Sequence, residues 1–277
     1  MHILVVGGGM GGTILANNLA RRLSGELEQG SSKITMLSAS DKHMYQPGLL
    51  YVAVGKMSTS ELYRDQKSLL EPTIDFHVDP VEKFDLDNNS VTTKSGKKIS
   101  YDIICIATGS RGNAAGIPGL AENACQFYTE ADALAMYKKL QKFEGGKVVV
   151  ATGVPHKCPM SPLEITFFLI DYFKKRGIWD KVDLHYTYPI GRVHSLEPVA
   201  KWAAPEFDKE GVTYETLFNM KEVVPGKVIS EEDSSAEFDL LVTVPPHKGM
   251  QVIEDNELGK GGFIPTDKKK LNMEGRD

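Results

Sequence analysis

Residues 3–6 of the chain are Ile-Leu-Val-Val, and they run directly into Gly7-Gly8-Gly9-Met10-Gly11-Gly12. A short run of β-branched residues and leucine predicts a buried parallel strand. Beyond the glycines, Leu15, Leu19 and Leu23 recur every four residues, with Ala16 and Ala20 beside them. That pattern predicts a helix packed on a sheet. Gly7, Gly9 and Gly12 fall at G-x-G-x-x-G spacing between the two, which is the context the spacing needs. Gly7 permits the tight turn, Gly9 lets the backbone approach a pyrophosphate, and Gly12 lets the helix lie close on the strand. Free N–H groups at the helix start then face the phosphates. Nucleotide binding is the expectation.

Composition bounds the rest. The chain has 277 residues, 41% hydrophobic and 25% charged, which suits about two globular domains at roughly 150 residues each. A net charge of −5 gives no basic field for nucleic acid. Lys268-Lys269-Lys270 is too short a charge run to be a tail. The apolar stretch Ile165–Ile170 is far short of the ~20 residues of a membrane-spanning helix. The chain passes from Met1 straight into the strand, so no signal peptide is expected. Three cysteines do not make a disulfide framework and read as reduced thiols. No metal site is expected.

The second strand is expected at Lys33–Ser38. Dinucleotide folds often carry an acid at its end for the ribose. Ser38 stands there instead, with Asp41 three residues on, which leaves the ribose contact open. Between Val78 and Tyr101, short strands and the clusters Asp87-Asn88-Asn89 and Ser95-Gly96 predict an antiparallel meander. The next buried strand is expected to hold Cys105 as an inert thiol and to end in Ala107-Thr108-Gly109.

A further strand, Lys147–Thr152, ends in Gly153, where a pyridine-nucleotide enzyme would continue with its own glycine signature. Here the chain reads Gly153-Val154-Pro155-His156-Lys157-Cys158-Pro159. Two prolines remove N–H donors, and no further glycine lets the backbone approach a pyrophosphate. Ser161-Pro162-Leu163-Glu164 then predicts a capping box opening a helix, which Lys174-Lys175-Arg176-Gly177 closes. Cys158 therefore precedes a helix N-terminus beside Lys157 and near His156, a setting that favours a thiolate. Cys125 lies four residues before a second expected cap at Thr129.

These stretches resemble the sulfide:quinone oxidoreductase family, FAD-dependent flavoproteins with two dinucleotide-binding domains, and its relative flavocytochrome c sulfide dehydrogenase. The resemblance rests on His43–Gly48, Asn123–Tyr128, Lys157-Cys158-Pro159 with Glu164, Phe238–His247 and the Ala107-Thr108-Gly109 turn. It implies an α/β fold with two Rossmann-like domains and an antiparallel β-meander insertion. Residues 1–113 and 247–277 would form the FAD-binding domain, and 114–246 the domain carrying the redox cysteines. It implies Cys158, Cys125, Glu164 and His194 as catalytic residues. Gly7, Gly9, Met10, Gly12, Ser38, Pro47, Val81, Ala107, Thr108 and Gly109 would bind the cofactor. The implied activity is oxidation of sulfide to polysulfide through the cysteines and the flavin C4a, with electrons passing to a quinone. The resemblance places the intact protein in the cytoplasm, peripheral to a membrane, and leaves room for an oligomer. It also implies that the chain is C-terminally truncated. A second FAD motif ending in Gly-Asp, a third redox cysteine and C-terminal membrane-facing helices would follow. Two alternatives stand beside it: a type II NADH:quinone oxidoreductase-like flavoprotein and a non-catalytic nucleotide-binding fragment.

Overall fold

The structure is a computed structural model that describes residues 1–276. The chain divides into two units, one of residues 1–45, 63–111 and those from 248 onward, the other of residues 46–62 and 112–247.

The first unit is built on the parallel strands β1 (His2–Val6), β2 (Lys33–Ser38), β3 (Ile74–Val78) and β7 (Ile103–Ile106), in the order β3-β2-β1-β7. Helix α1 (Met10–Arg22) follows β1 through the glycines. The meander β4 (Val81–Asp85), β5 (Ser90–Thr93) and β6 (Lys98–Ser100) is antiparallel, as the turn clusters predict. Side chains alternate across a strand, and β1 shows it. Ile3 and Val5 join Ala16, Ala20, Ile34 and Met36 under α1, while Leu4 and Val6 join Leu37, Val81, Val91 and Tyr101 under the meander. On α1 it is the alanines that are fully buried, so the helix lies closer to the sheet than a leucine seam would allow. One expectation fails here. The strand carrying Cys105 sits at the sheet edge, so Ile103 is exposed and Cys105 is only half-buried.

The second unit holds the parallel strands β8 (Ala124–Cys125), β9 (Gly146–Thr152), β10 (Val182–Tyr188), β11 (Thr213–Thr216) and β15 (Leu240–Val244), in the order β8-β15-β9-β10-β11. Its longer helices are α2 (Gly48–Ala53), α3 (Glu130–Lys142), α4 (Ser161–Lys175) and α5 (Glu197–Glu210). A second antiparallel meander, β12 (Met220–Val224), β13 (Lys227–Ser230) and β14 (Ser235–Glu237), covers Val149, Ala151 and Leu241 on one face of the sheet. Thr129 caps α3 by accepting the Asp132 amide at 3.1 Å, as expected. Gly177, at φ +68°, closes α4 in the left-handed conformation that favours glycine.

The chain therefore has an α/β fold with two Rossmann-like parallel sheets and antiparallel insertions. Among the described residues, no helix is long and apolar enough to cross a membrane.

Candidate functional site

The first candidate site is the turn between β1 and α1. Gly7 has φ +118°, and a Cβ there would meet the Ala107 carbonyl oxygen at 2.3 Å. The Ala107-Thr108-Gly109 turn thus lies directly against the glycine loop, with Gly109 itself at φ +81°. A Cβ on Gly12 would stand 1.9 Å from the Gly7 carbonyl oxygen, so only glycine allows this approach of helix to strand. Gly9 differs. It caps α1 with extended backbone, and a Cβ there would find no atom within 4 Å. No side chain caps the helix, its first turn holds no acid, and Met10 is exposed. Open space in front of free helical N–H groups, floored by glycine, fits a bound pyrophosphate.

The other residues expected at this cofactor site have different settings. Ser38 is buried, with its hydroxyl accepting the Ser40 amide at 3.2 Å. Val81 points into the core under the meander. Val81 could offer a ligand only its main chain, whereas the Ser38 hydroxyl still has its own proton to donate. Pro47 is exposed at the start of α2, in the second unit. Sequence reasoning missed Gln66, which is fully buried and donates Nε2–H to Thr13 Oγ1 at 2.8 Å. Its Oε1 faces His43 Nδ1 at 3.0 Å. No pattern around Gln66 announces this.

The second candidate site lies at the carboxyl edge of the second sheet, where open parallel sheets place ligands. Four loops meet there, following β8, β9, β10 and β15, and each contributes. The loop after β9 carries His156, Lys157 and Cys158. Ser161 bridges from α4: its Oγ donates to the Cys158 carbonyl at 3.0 Å and lies 2.6 Å from Tyr128 Oη, after β8. A serine hydroxyl has one proton, so Tyr128 must donate to Ser161. His247, after β15, donates its backbone N–H to the Pro155 carbonyl at 2.6 Å and sets its ring edge-on to Tyr128 at 4.4 Å. Lys157 donates to Gln46.

This arrangement corrects the capping box. Met160 holds the N-cap position without a side-chain bond, Ser161 is already inside the helix, and Glu164 is exposed. Placed one residue too far along to cap, the serine hydroxyl is captured by Tyr128 and Cys158 instead.

His194, after β10, is fully buried. Its Nδ1 accepts the Leu196 amide at 3.0 Å, so in the neutral ring the proton sits on Nε2, on the side of the Pro159 carbonyl. That Nε2, His156 Nδ1 and His247 Nε2 are buried without a hydrogen-bond partner. Burial pushes all three imidazoles below their usual pKa and favours their neutral forms. Burial likewise raises the Tyr128 hydroxyl, so it remains a donor.

Cys125 is the last residue of β8. It is paired with Val242 and is buried. Burial pushes its thiol up, opposed by the neighbouring Lys139 of α3. Tyr128, three residues later, is the residue from this stretch that sequence reasoning missed. Its signal was positional: it sits just past a strand end and just before a helix cap.

The turn that opens Val154–Pro159 packs against the loop after β15. The Gly153 amide donates to the Val244 carbonyl at 2.8 Å, and a Cβ on Gly153 would meet Pro246 Cδ at 2.5 Å.

Comparison with known proteins agrees with this architecture. The chain is similar to the mitochondrial sulfide:quinone oxidoreductase of Mus musculus, 26% identical over 98% of this chain and 62% of that protein. It is 28% identical to the Dictyostelium discoideum protein of the same name, over 97% of this chain and 62% of that one. The solved structure of the sulfide:quinone oxidoreductase from Aquifex aeolicus superposes with a TM-score of 0.79 at 26% identity, covering 91% of this chain and 60% of that chain. The chain thus spans about three-fifths of the length of the relatives it matches. Residues 1–269 match the family model described as pyridine nucleotide-disulphide oxidoreductase, and the chain belongs to that family.

Proposed function

We propose that the chain is the FAD-binding and cysteine-bearing part of a sulfide:quinone oxidoreductase, oxidising sulfide to polysulfide and passing electrons to a quinone. The observation that carries this reading is the turn after β9. It keeps the strand–turn–helix frame of a dinucleotide site, yet Pro246 packs on Gly153, prolines interrupt it, and Cys158 stands before α4. A thiol in place of a nicotinamide cradle favours sulfur over hydride as what this unit handles. The likeness to proteins named sulfide:quinone oxidoreductase supports the same reading.

The first unit would hold FAD. Amides from Gly9 and Met10 would bind the pyrophosphate, Gly7 and Gly12 keep the loop tight, and Ala107-Thr108-Gly109 backs it. Val81 and Pro47 would contribute main chain along the rest of the cofactor, and Ser38 its hydroxyl proton. Bound FAD supplies the two-electron acceptor that a thiol alone lacks and passes the electrons on to the quinone.

In the second unit Cys158 is the thiol that would carry the sulfur, with FAD as the two-electron acceptor for its oxidation, and its reactive form is the thiolate. His194 holds an unpaired Nε2–H, a donor for an anionic sulfur chain. Glu164, exposed in the first turn of α4, can carry a proton between the site and water. Cys125, buried in β8, would act only after local opening.

The test is anaerobic reduction of the FAD-loaded chain, followed by the visible flavin band. Sulfide should bleach it in the wild type and not in Cys158→Ser, and NADH should bleach neither. Bleaching by NADH but not sulfide would make the NADH:quinone reading correct.

A further inference from the structure

The first unit contains a polar cage that the proposed chemistry does not use. The Gly8 carbonyl receives two side-chain bonds, from Thr13 Oγ1 at 3.3 Å and from His43 Nδ1 at 3.2 Å. Gln66 ties the two donors together, donating Nε2–H to Thr13 Oγ1 at 2.8 Å and accepting from His43 Nδ1 at 3.0 Å. One arrangement of protons satisfies every atom. Both neighbours of His43 Nδ1 are carbonyl oxygens, so Nδ1 carries a proton and shares it. The amide of Gln66 must then turn its nitrogen to Thr13, whose own proton goes to Gly8. Two side chains, Thr13 from α1 and His43 from the short strand Lys42–Met44, converge on one peptide oxygen, and Gln66, from the segment before β3, joins them.

That oxygen belongs to the peptide joining Gly8 to Gly9, both without side chains. Such a peptide plane can rotate at little steric cost. It has two useful orientations. With the carbonyl outward, its lone pairs would face the pyrophosphate. With the carbonyl inward, the planar trans peptide turns the Gly9 N–H outward. Among the described residues the only cis bond is Val154–Pro155, so Gly8–Gly9 is trans. In front of Gly9 the space is open.

We infer that Gln66, His43 and Thr13 are positioning residues for the dinucleotide cradle: by holding the Gly8 carbonyl inward they aim the Gly9 amide at the pyrophosphate. The inference rests on the FAD reading and adds to it the residues that set the loop. Burying a glutamine completely is costly unless its bonds are made, and here its bonds to oxygen and nitrogen go to the two side chains that hold the Gly8 carbonyl, with a longer contact to Met36 Sδ beside them.

The experiment uses four chains: wild type, Gln66→Leu, His43→Leu and His43→Asn. The asparagine amide can place a donor near the position of Nδ1 and should restore what leucine removes. Two readouts are taken. With ¹⁵N-glycine labelling and no ligand, the Gly9 amide signal should move in both leucine variants and stay near its wild-type position in His43→Asn. Calorimetric titration with FAD and with ADP, which shares the pyrophosphate, should show affinity falling at least tenfold in the leucine variants and less than threefold in His43→Asn. If Gln66→Leu fails to fold, the His43 pair decides alone. Wild-type affinity in His43→Leu, or equal losses in His43→Asn and His43→Leu, would overturn the positioning role while leaving the FAD reading intact. A wild-type chain that takes up neither FAD nor ADP would overturn both.

Discussion

Replacing Ser161 by alanine should loosen the Cys158 turn, and the size of the effect can be worked from the bonds it breaks. Ser161 is 3% exposed and does not serve as the helix cap, so removing its hydroxyl costs no capping energy. What is lost is the chain Tyr128 O–H to Ser161 O–H to Cys158 carbonyl, with links of 2.6 and 3.0 Å. Each neutral bond contributes about 0.5–1.5 kcal/mol net, and a buried partner left alone costs about 1–3 kcal/mol. Ser161→Ala strands both a tyrosine hydroxyl and a carbonyl, so about 2–4 kcal/mol is expected. Tyr128→Phe removes one bond and strands nothing charged, so about 1 kcal/mol is expected. The double variant no longer buries an unpaired tyrosine hydroxyl, so it should fall short of the sum by about 1 kcal/mol, as coupled neighbours do. Urea unfolding followed by tryptophan fluorescence reads this directly, because both tryptophans, Trp179 and Trp202, lie in the second unit. Iodoacetamide labelling of Cys158 should be several-fold faster in Ser161→Ala. A cost below about 0.5 kcal/mol, the size of an ordinary surface change, or strict additivity in the double variant, would refute the hydrogen-bond chain.

Gly12→Ala should destabilise the first unit by about 3 kcal/mol, the upper end of overpacking, because the new methyl meets a backbone carbonyl that cannot move aside; hydrogen exchange of β1 amides checks it. Gly9→Ala, with open space around it, should leave exchange near wild type yet reduce ADP affinity at least tenfold in calorimetry. All four histidines of the second unit, His156, His185, His194 and His247, have pKa values lowered first by burial. The unfolded chain then binds more protons than the folded one below about pH 6.5, so this contribution is complete above that pH and is lost on acidification toward the lower folded values. Urea midpoints of the tryptophan signal should fall between pH 7 and pH 5, and less so in His194→Gln. Among the thiols, Cys158 should label with iodoacetamide before Cys125 and Cys105, whose pKa values burial raises; peptide mapping over a pH series tests the order.

The first unit was the more legible half. Its glycine spacing, its strand at Lys33–Ser38 and its meander all follow from local chemistry: which residues tolerate a left-handed turn, which alternate, which favour tight loops. Main-chain requirements of that kind leave their mark within a few residues of where they act. The second meander, β12 to β14, was not read, although Pro225-Gly226 supplies its turn and Gly226 has φ +76°. The excursion of residues 46–62 into the second unit was equally hidden. It depends on α2 packing against α3, where Gly55 lies so close to the Tyr137 ring that no side chain would fit.

Side-chain sites are harder to read because their members are brought together by topology. Tyr128, Cys158, His194 and His247 lie on four separate stretches of sequence, yet each follows a strand of the same parallel sheet. A rule was available: residues just past the carboxyl ends of β8, β9, β10 and β15 must lie along one edge. By that rule Tyr128, just beyond β8, joins the edge, while Cys125 is the last residue of the strand itself. The cysteine attracted attention because thiols carry chemistry, while the tyrosine had no motif to mark it. The capping box failed for a related reason. Ser-Pro-Leu-Glu has the right composition, but one residue of offset puts the serine inside the helix, and a distant tyrosine then decides what its hydroxyl does. Gln66 is the extreme case: an unremarked residue in sequence, fully buried in the fold, and linked to the glycine loop through contacts with Thr13, 53 positions earlier, and His43, 23 positions earlier. Where a backbone must bend, the sequence shows it locally; where a backbone must be held, the residues that hold it can come from anywhere the topology allows.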